Sequence, residues 1–179
     1  MERKMIDSKI ISKIAEIGRI KNKTQIRASL KKLLKKYKSI ELCAIGESEF
    51  IKATTKEIYF EFEGKTYFFG QYEACMLTTI TTDIIGPKIV YKNIAHEHFN
   101  GYIHPHIGIS SAPPPHFKNY GINVCYGNIM YLLNSMRKEK DILAIFNLIH
   151  NFLSHANKDY AEIIQYFPTI SKKNRTSQC

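Results

Sequence analysis

The sequence predicts an α+β fold: a four-stranded antiparallel β-meander flanked by amino-terminal and carboxy-terminal helices. Three observations predict it. Apolar residues recur at helical spacing before residue 39. Short runs of aromatic and β-branched residues, separated by turn-formers, fill positions 39–91. Helical spacing returns after residue 128. Sequential strands with short connections favour a meander, and the flanking helices supply the layer that covers one of its faces.

Ile6, Ile10, Ile14 and Ile17, with Ile11 alongside, form the first helical stripe, weakened by Gly18 and the polar residues 21–23. A second helix is expected over 24–38. Ile26, Leu30, Leu33, Leu34 and Tyr37 would lie on its apolar face, and Lys31, Lys32, Lys35, Lys36 and Lys38 would face solvent. Runs 39–45 and 50–54 read as strands. Ile58–Phe62 alternates and is aromatic, Glu63-Gly64 marks a turn, and 66–69 follows, with Gly70 allowing a bend. Strand 72–78, the Gly86-Pro87 break and strand 88–91 complete the series. Ile129, Leu132, Leu133 and Met136 mark a short helix, and 137–140 a break. A longer helix over 141–157 buries Ile142, Ile145, Phe146, Ile149, Phe152 and Leu153, leaving His150 off the stripe and exposed. Asn157-Lys158-Asp159 opens a last segment, 160–167, that stops before Pro168. The chain thus divides into a helical segment (1–38), an α+β domain (39–168) and a polar basic tail (169–179) expected to be disordered.

Residues 101–128 break this pattern. They read G-Y-I-H-P-H-I-G-I-S-S-A-P-P-P-H-F-K-N-Y-G-I-N-V-C-Y-G-N and hold three of the 7 histidines and four of the 6 prolines. Pro105, Pro113, Pro114 and Pro115 fix φ and remove backbone donors, and the residues before them are pushed towards extended conformations. That excludes a regular helix or a central strand and predicts a long, ordered loop laid over the core. Cys125 lies just ahead of the helix at Ile129, where the positive end of the dipole favours thiolate. His104 and His106 come near it if the loop folds back, and Tyr120 and Tyr126 are candidates to wall the site. His96-Glu97-His98 and His104-Pro105-His106 are two H-x-H pairs, yet neither has zinc-motif spacing, so no metal and no cofactor are expected.

An H-P-x loop followed by a cysteine, Gly-Asn and two helices resembles the core of ubiquitin-conjugating enzymes. The likeness is to the bacterial and phage-type members of this superfamily (UBC/RWD-like), in which H-P-H replaces H-P-N. It rests on His104, Pro105, His106, Cys125, Gly127 and Asn128 and spans roughly residues 40–167. His106 stands where the familiar enzymes carry asparagine, and the gap to Cys125 is longer and holds the triple proline. The resemblance implies a transferase that accepts a ubiquitin-like modifier from its activating enzyme as a thioester on Cys125 and passes it to an amine. It implies donor roles for His106 or Asn128 and a mainly structural one for His104. Asn128 also fits a helix cap. The setting implied is a bacterial or phage conjugation system, with antiviral defence as its context. The alternative is a non-catalytic UBC/RWD-like scaffold that binds protein.

With 44% hydrophobic residues, the 179-residue chain is able to form a core. A net charge of +10 attracts acidic partners, and the lysine face of the second helix is a candidate dock for an acidic protein surface such as an activating enzyme. Nucleic-acid binding ranks lowest, because the lysines carry no interleaved aromatics. Cys43, Cys75, Cys125 and Cys179 form no C-x-x-C pair, no signal-like start is present, and no apolar run reaches membrane length. A reducing cytoplasmic location without disulfides or membrane contact is expected. Cys179 sits in the tail without a scaffold to position partners around it.

Overall fold

The computed structural model describes residues 6–78, 89–111 and 120–170. Gly86-Pro87, the triple proline, Cys179 and the tail from residue 171 lie outside the described residues. Two helices open the chain, α1 (Ser8–Ile17) and α2 (Lys23–Leu33). Each starts at a side-chain cap. Asp7 accepts from the Lys9 amide, and Asn22 from the Thr24 and Gln25 amides, which satisfies donors that a first helical turn leaves free.

Strands β1 (Tyr37–Ile45), β2 (Ser48–Thr55), β3 (Ile58–Phe62), β4 (Lys65–Gly70), β5 (Tyr72–Leu77) and β6 (Ile89–Asn93) follow. Next come β7 (Tyr102–His104), β8 (Ile107–Ile109) and β9 (Gly121–Val124). Helices α3 (Ile129–Lys138) and α4 (Ile142–Leu153), a 3-10 turn at Lys158–Tyr160, α5 (Ala161–Ile164) and β10 (Thr169–Ile170) complete the order. The main sheet is antiparallel and seven-stranded, in the order β1-β2-β5-β6-β9-β8-β7. It stands in place of the expected four-stranded meander, because β2 pairs with β5 rather than with the next strand in the chain. The β3–β4 hairpin leaves the main sheet and pairs instead with β10, giving a second sheet of order β10-β4-β3.

Three further expectations are corrected. The stretch 101–128 is not one irregular loop: β7, β8 and β9 lie within it and extend the sheet. These strands are three or four residues long and Pro105 interrupts them, so no alternating run marks them. The second helix stops at Leu33, because Tyr37 belongs to β1. Its hydroxyl donates to the Phe146 carbonyl at 2.7 Å and its ring packs edge-on against Phe146 and His150. Thr169–Ile170 pair with Tyr67 and Thr66, two residues into the stretch expected as tail.

Alternation along the strands separates two clusters. Ile51, Ala53, Tyr72, Ala74, Met76 and Tyr91 join the main core with residues of α1, α2 and α4. The intervening Phe50, Cys75 and Val90 form a smaller cluster on the opposite face, and Tyr120 packs there. The stripe expected on α4 is buried throughout, and Asp141 caps that helix through the Ala144 amide. His150, expected to be exposed, is half-buried against Tyr37. Lys36 is also only half exposed, because its ammonium donates to Asn147 and Asn151 of α4. Among the described residues no helix is long and apolar enough to cross a membrane.

Ile14, Ile26 and Leu30 are at most 1% exposed, so the amino-terminal helices are part of the core. Ile26→Ala is expected to cost about 2–5 kcal/mol within a single cooperative urea transition. A loss below about 1 kcal/mol, or a separate early transition, would mark the helices as an appendage.

Candidate active site

The H-P-H motif is the tip of a hairpin. His104 of β7 pairs with Ile107 of β8, so Pro105 and His106 are the central residues of a tight turn. Proline at the first central position is preset for such a turn. The His104 Nδ1 accepts from the His106 amide at 3.2 Å, and its Nε2 lies 3.1 Å from the Leu153 carbonyl. One neutral tautomer satisfies both contacts, with the proton on Nε2. The imidazole is fully buried, and burial, followed by the neighbouring His106, lowers its pKa to about 3. Leu153 ends α4, where the last carbonyls lack helical partners. His104 therefore clamps the hairpin tip to the end of α4.

A second buried cluster fixes the hairpin from below. Asn93 donates to the carbonyls of Phe69 (2.7 Å) and Ile103 (3.1 Å), and the Tyr72 hydroxyl lies 2.6 Å and 3.0 Å from the same two oxygens. At Gly70 (φ +115°) a Cβ would collide with the Asn93 amide. At Gly121 a Cβ would run into Ile107 and Ile103, so the close approach of the hairpin to β9 requires glycine.

Cys125 follows β9 directly. Its amide donates to the His106 carbonyl at 2.9 Å, which continues the β8–β9 ladder to the hairpin tip. The chain then turns at Gly127, whose φ of +51° suits glycine. Asn128 occupies the N-cap position of α3 but makes no side-chain capping bond. Cys125 is exposed, and its sulfur is the acceptor of the Tyr160 hydroxyl at 3.1 Å. Tyr160 ends the 3-10 turn beyond α4 and stands edge-on to the His106 ring, with centroids 4.4 Å apart. Its hydrogen bond to Cys125 raises the phenol pKa above the ordinary value. These groups border an open groove of about 520 Å³ whose floor includes Leu148 and Phe152. Asn128, Asn151 and Asn157 lie along it, and among the described residues no carboxylate lines it.

Comparison of the chain with protein-family models, with curated proteins and with solved structures finds no match.

Of the residues singled out from the sequence, the fold brings Cys125, His106 and Asn128 to this one groove and sets His104 behind it. Burial lowers the His106 pKa, and its Nδ1 is buried with no hydrogen-bond partner among the described residues. No hydrogen bond joins either imidazole to the sulfur among the described residues. Tyr126 lines the groove, its hydroxyl 3.0 Å from that of Tyr91, but Tyr120 packs on the other face of the sheet and walls nothing here. His96 and His98 stand apart from the site: His96 packs on Phe68 and Phe99, and His98 is exposed. Sequence reasoning missed Tyr160. It lies 35 residues beyond Cys125, and the only signal was the polar Asn157-Lys158-Asp159 turn that returns the chain towards the groove.

The clamp has a pH signature. Unfolded histidine titrates near about 6.5, whereas folded His104 stays neutral down to about 3. Below about 6.5 the unfolded state binds the extra proton. The contribution is complete above that pH and is lost as pH falls towards 3. The loss reaches up to about 1.4 kcal/mol per pH unit. His150, lowered to about 4 by burial first and then by Lys36 and His155, acts in the same direction. Urea midpoints should fall steadily from pH 7 to pH 4.5. The His104→Asn variant should be less stable at pH 7 and show a slope shallower by about one proton; an unchanged slope would exclude His104 as the group responsible.

Proposed function

We propose that the protein is a ubiquitin-conjugating-enzyme-like carrier that accepts a ubiquitin-like modifier on Cys125 and passes it to an amine. The observation that carries this reading is the exposed Cys125 at the rim of a groove, its amide donating to the His106 carbonyl and its sulfur accepting from the Tyr160 hydroxyl. A carrier thiol has to be reached by two other proteins in turn, so exposure on a fixed backbone is what the chemistry asks for. In the loading step the Cys125 thiolate attacks the thioester carbon, a new C–S bond forms, and the donor's thiolate leaves. In the second step an amine attacks the same carbon, a C–N bond forms, Sγ departs with its electron pair, and the amine's proton passes to solvent. Three asparagines over an apolar floor suit an uncharged, extended chain end, such as a glycine-rich tail. The exposed Lys31, Lys32 and Lys35 offer a dock for an acidic face of the activating enzyme.

One feature favours a second reading, a protein-binding scaffold without catalysis. Met130, Tyr131 and Leu132 are consecutive large apolar side chains exposed on α3, Tyr131 to 83%.

Incubation with the C-terminal mercaptoethanesulfonate thioester of ubiquitin separates the two. The carrier reading expects an adduct on Cys125 that dithiothreitol cleaves. Cys125→Ala should lose it, and Cys125→Ser should yield at most a reductant-resistant ester. An adduct that survives in Cys125→Ala, or none in the wild type, favours the scaffold.

A further inference from the structure

We propose that Tyr160 is a catalytic residue of this site, donating its hydroxyl hydrogen first to the Cys125 sulfur and then to the oxygen that becomes negative during transfer. The inference rests on the carrier reading. The familiar placement of the donor, in the turn before the cysteine, does not fit the geometry found here. The His106 ring makes no hydrogen bond to the sulfur, and the Asn128 side chain makes none at its cap position. The donor on the sulfur comes from the other wall of the groove instead, 3.1 Å away.

That wall is built to hold it. After α4 ends, Asn157 caps the 3-10 turn, and the Tyr160 amide donates to the Asn157 carbonyl at 3.0 Å. The phenol and the His106 ring pack at 75° with centroids 4.4 Å apart, so the side chain is held by its backbone and by its ring. Tyr160 lines the groove beside Cys125.

The chemistry follows from one O–H and its two acceptors. While Cys125 is a thiolate, the O–H stabilises the negative sulfur as a charge-assisted bond. Once the sulfur is acylated it becomes a poor acceptor, and the thioester oxygen lies one carbon away, within reach of the same O–H. When an amine attacks, the carbonyl π pair moves onto that oxygen and the donor meets developing charge. As the intermediate collapses, the pair returns to carbon, Sγ leaves with the C–S electrons, and the O–H turns back to the thiolate. The phenol never gives up its proton, in keeping with the upward shift that the Cys125 contact imposes.

The test uses the full chain and Tyr160→Phe, which keeps the ring against His106; a wild-type urea midpoint verifies its fold. The rate of Cys125 alkylation by iodoacetamide is followed by mass spectrometry at neutral pH. Removing the hydroxyl should slow it roughly tenfold. Aminolysis of the preformed ubiquitin thioester by free lysine should also slow roughly tenfold. Unchanged alkylation together with unchanged aminolysis overturns the Tyr160 assignment and leaves the carrier reading standing. Slowed alkylation on a Cys125 that takes no thioester overturns the carrier reading, and with it the catalytic role of Tyr160.

Discussion

The Nε2–H of His104, donated to the Leu153 carbonyl, joins parts of the chain that are far apart in sequence. On one side is a hairpin of two three-residue strands, too short to hold itself in water. On the other is the end of α4, whose final carbonyl, that of Leu153, meets the imidazole. The imidazole suits the position because it accepts from one backbone group and donates to another while remaining uncharged. A lysine there would bring a charge into the core, and an aliphatic residue would leave the Leu153 carbonyl and the His106 amide without these partners. The rings of Phe69, Tyr72 and Phe152 enclose it.

From that clamp the groove follows in order. The hairpin tip presents the His106 carbonyl, which receives the Cys125 amide. The end of α4 launches the turn that brings Tyr160 back to the sulfur. The two walls of the groove are thus the two sides of the same hydrogen bond. Geometry at the sulfur depends on a histidine that does not touch it.

Much of this was legible in the sequence, for identifiable reasons. Ile58–Phe62 was recognisable because its aromatic alternation is a surface effect of a half-buried strand. The α4 stripe was recognisable because every third or fourth residue had to be apolar to fill the core. The groove was partly readable, since His106, Cys125 and Asn128 flank turns that proline and glycine announce. What stayed hidden were pairings without periodicity. The strands around Pro105 are too short to alternate. Tyr37 fits both a helical stripe and a strand start, and only its contact with Phe146 decides between them. Lys36 looked like solvent decoration until α4 supplied two asparagine side chains for it. Tyr160 carries no local mark beyond the polar turn before it, because its contact with Cys125 depends on where a distant segment lands.

Gly121 has one more implication. It is the first residue of the strand that delivers Cys125, and it marks where Ile103 and Ile107 bear directly on bare backbone. The strand works as a short lever with its fulcrum at that contact and the thiol just past its far end. A change in bulk at either isoleucine would tilt the lever and swing the sulfur relative to the opposite wall. The position of a surface sulfur is therefore adjustable from inside the protein, by two side chains that never reach solvent.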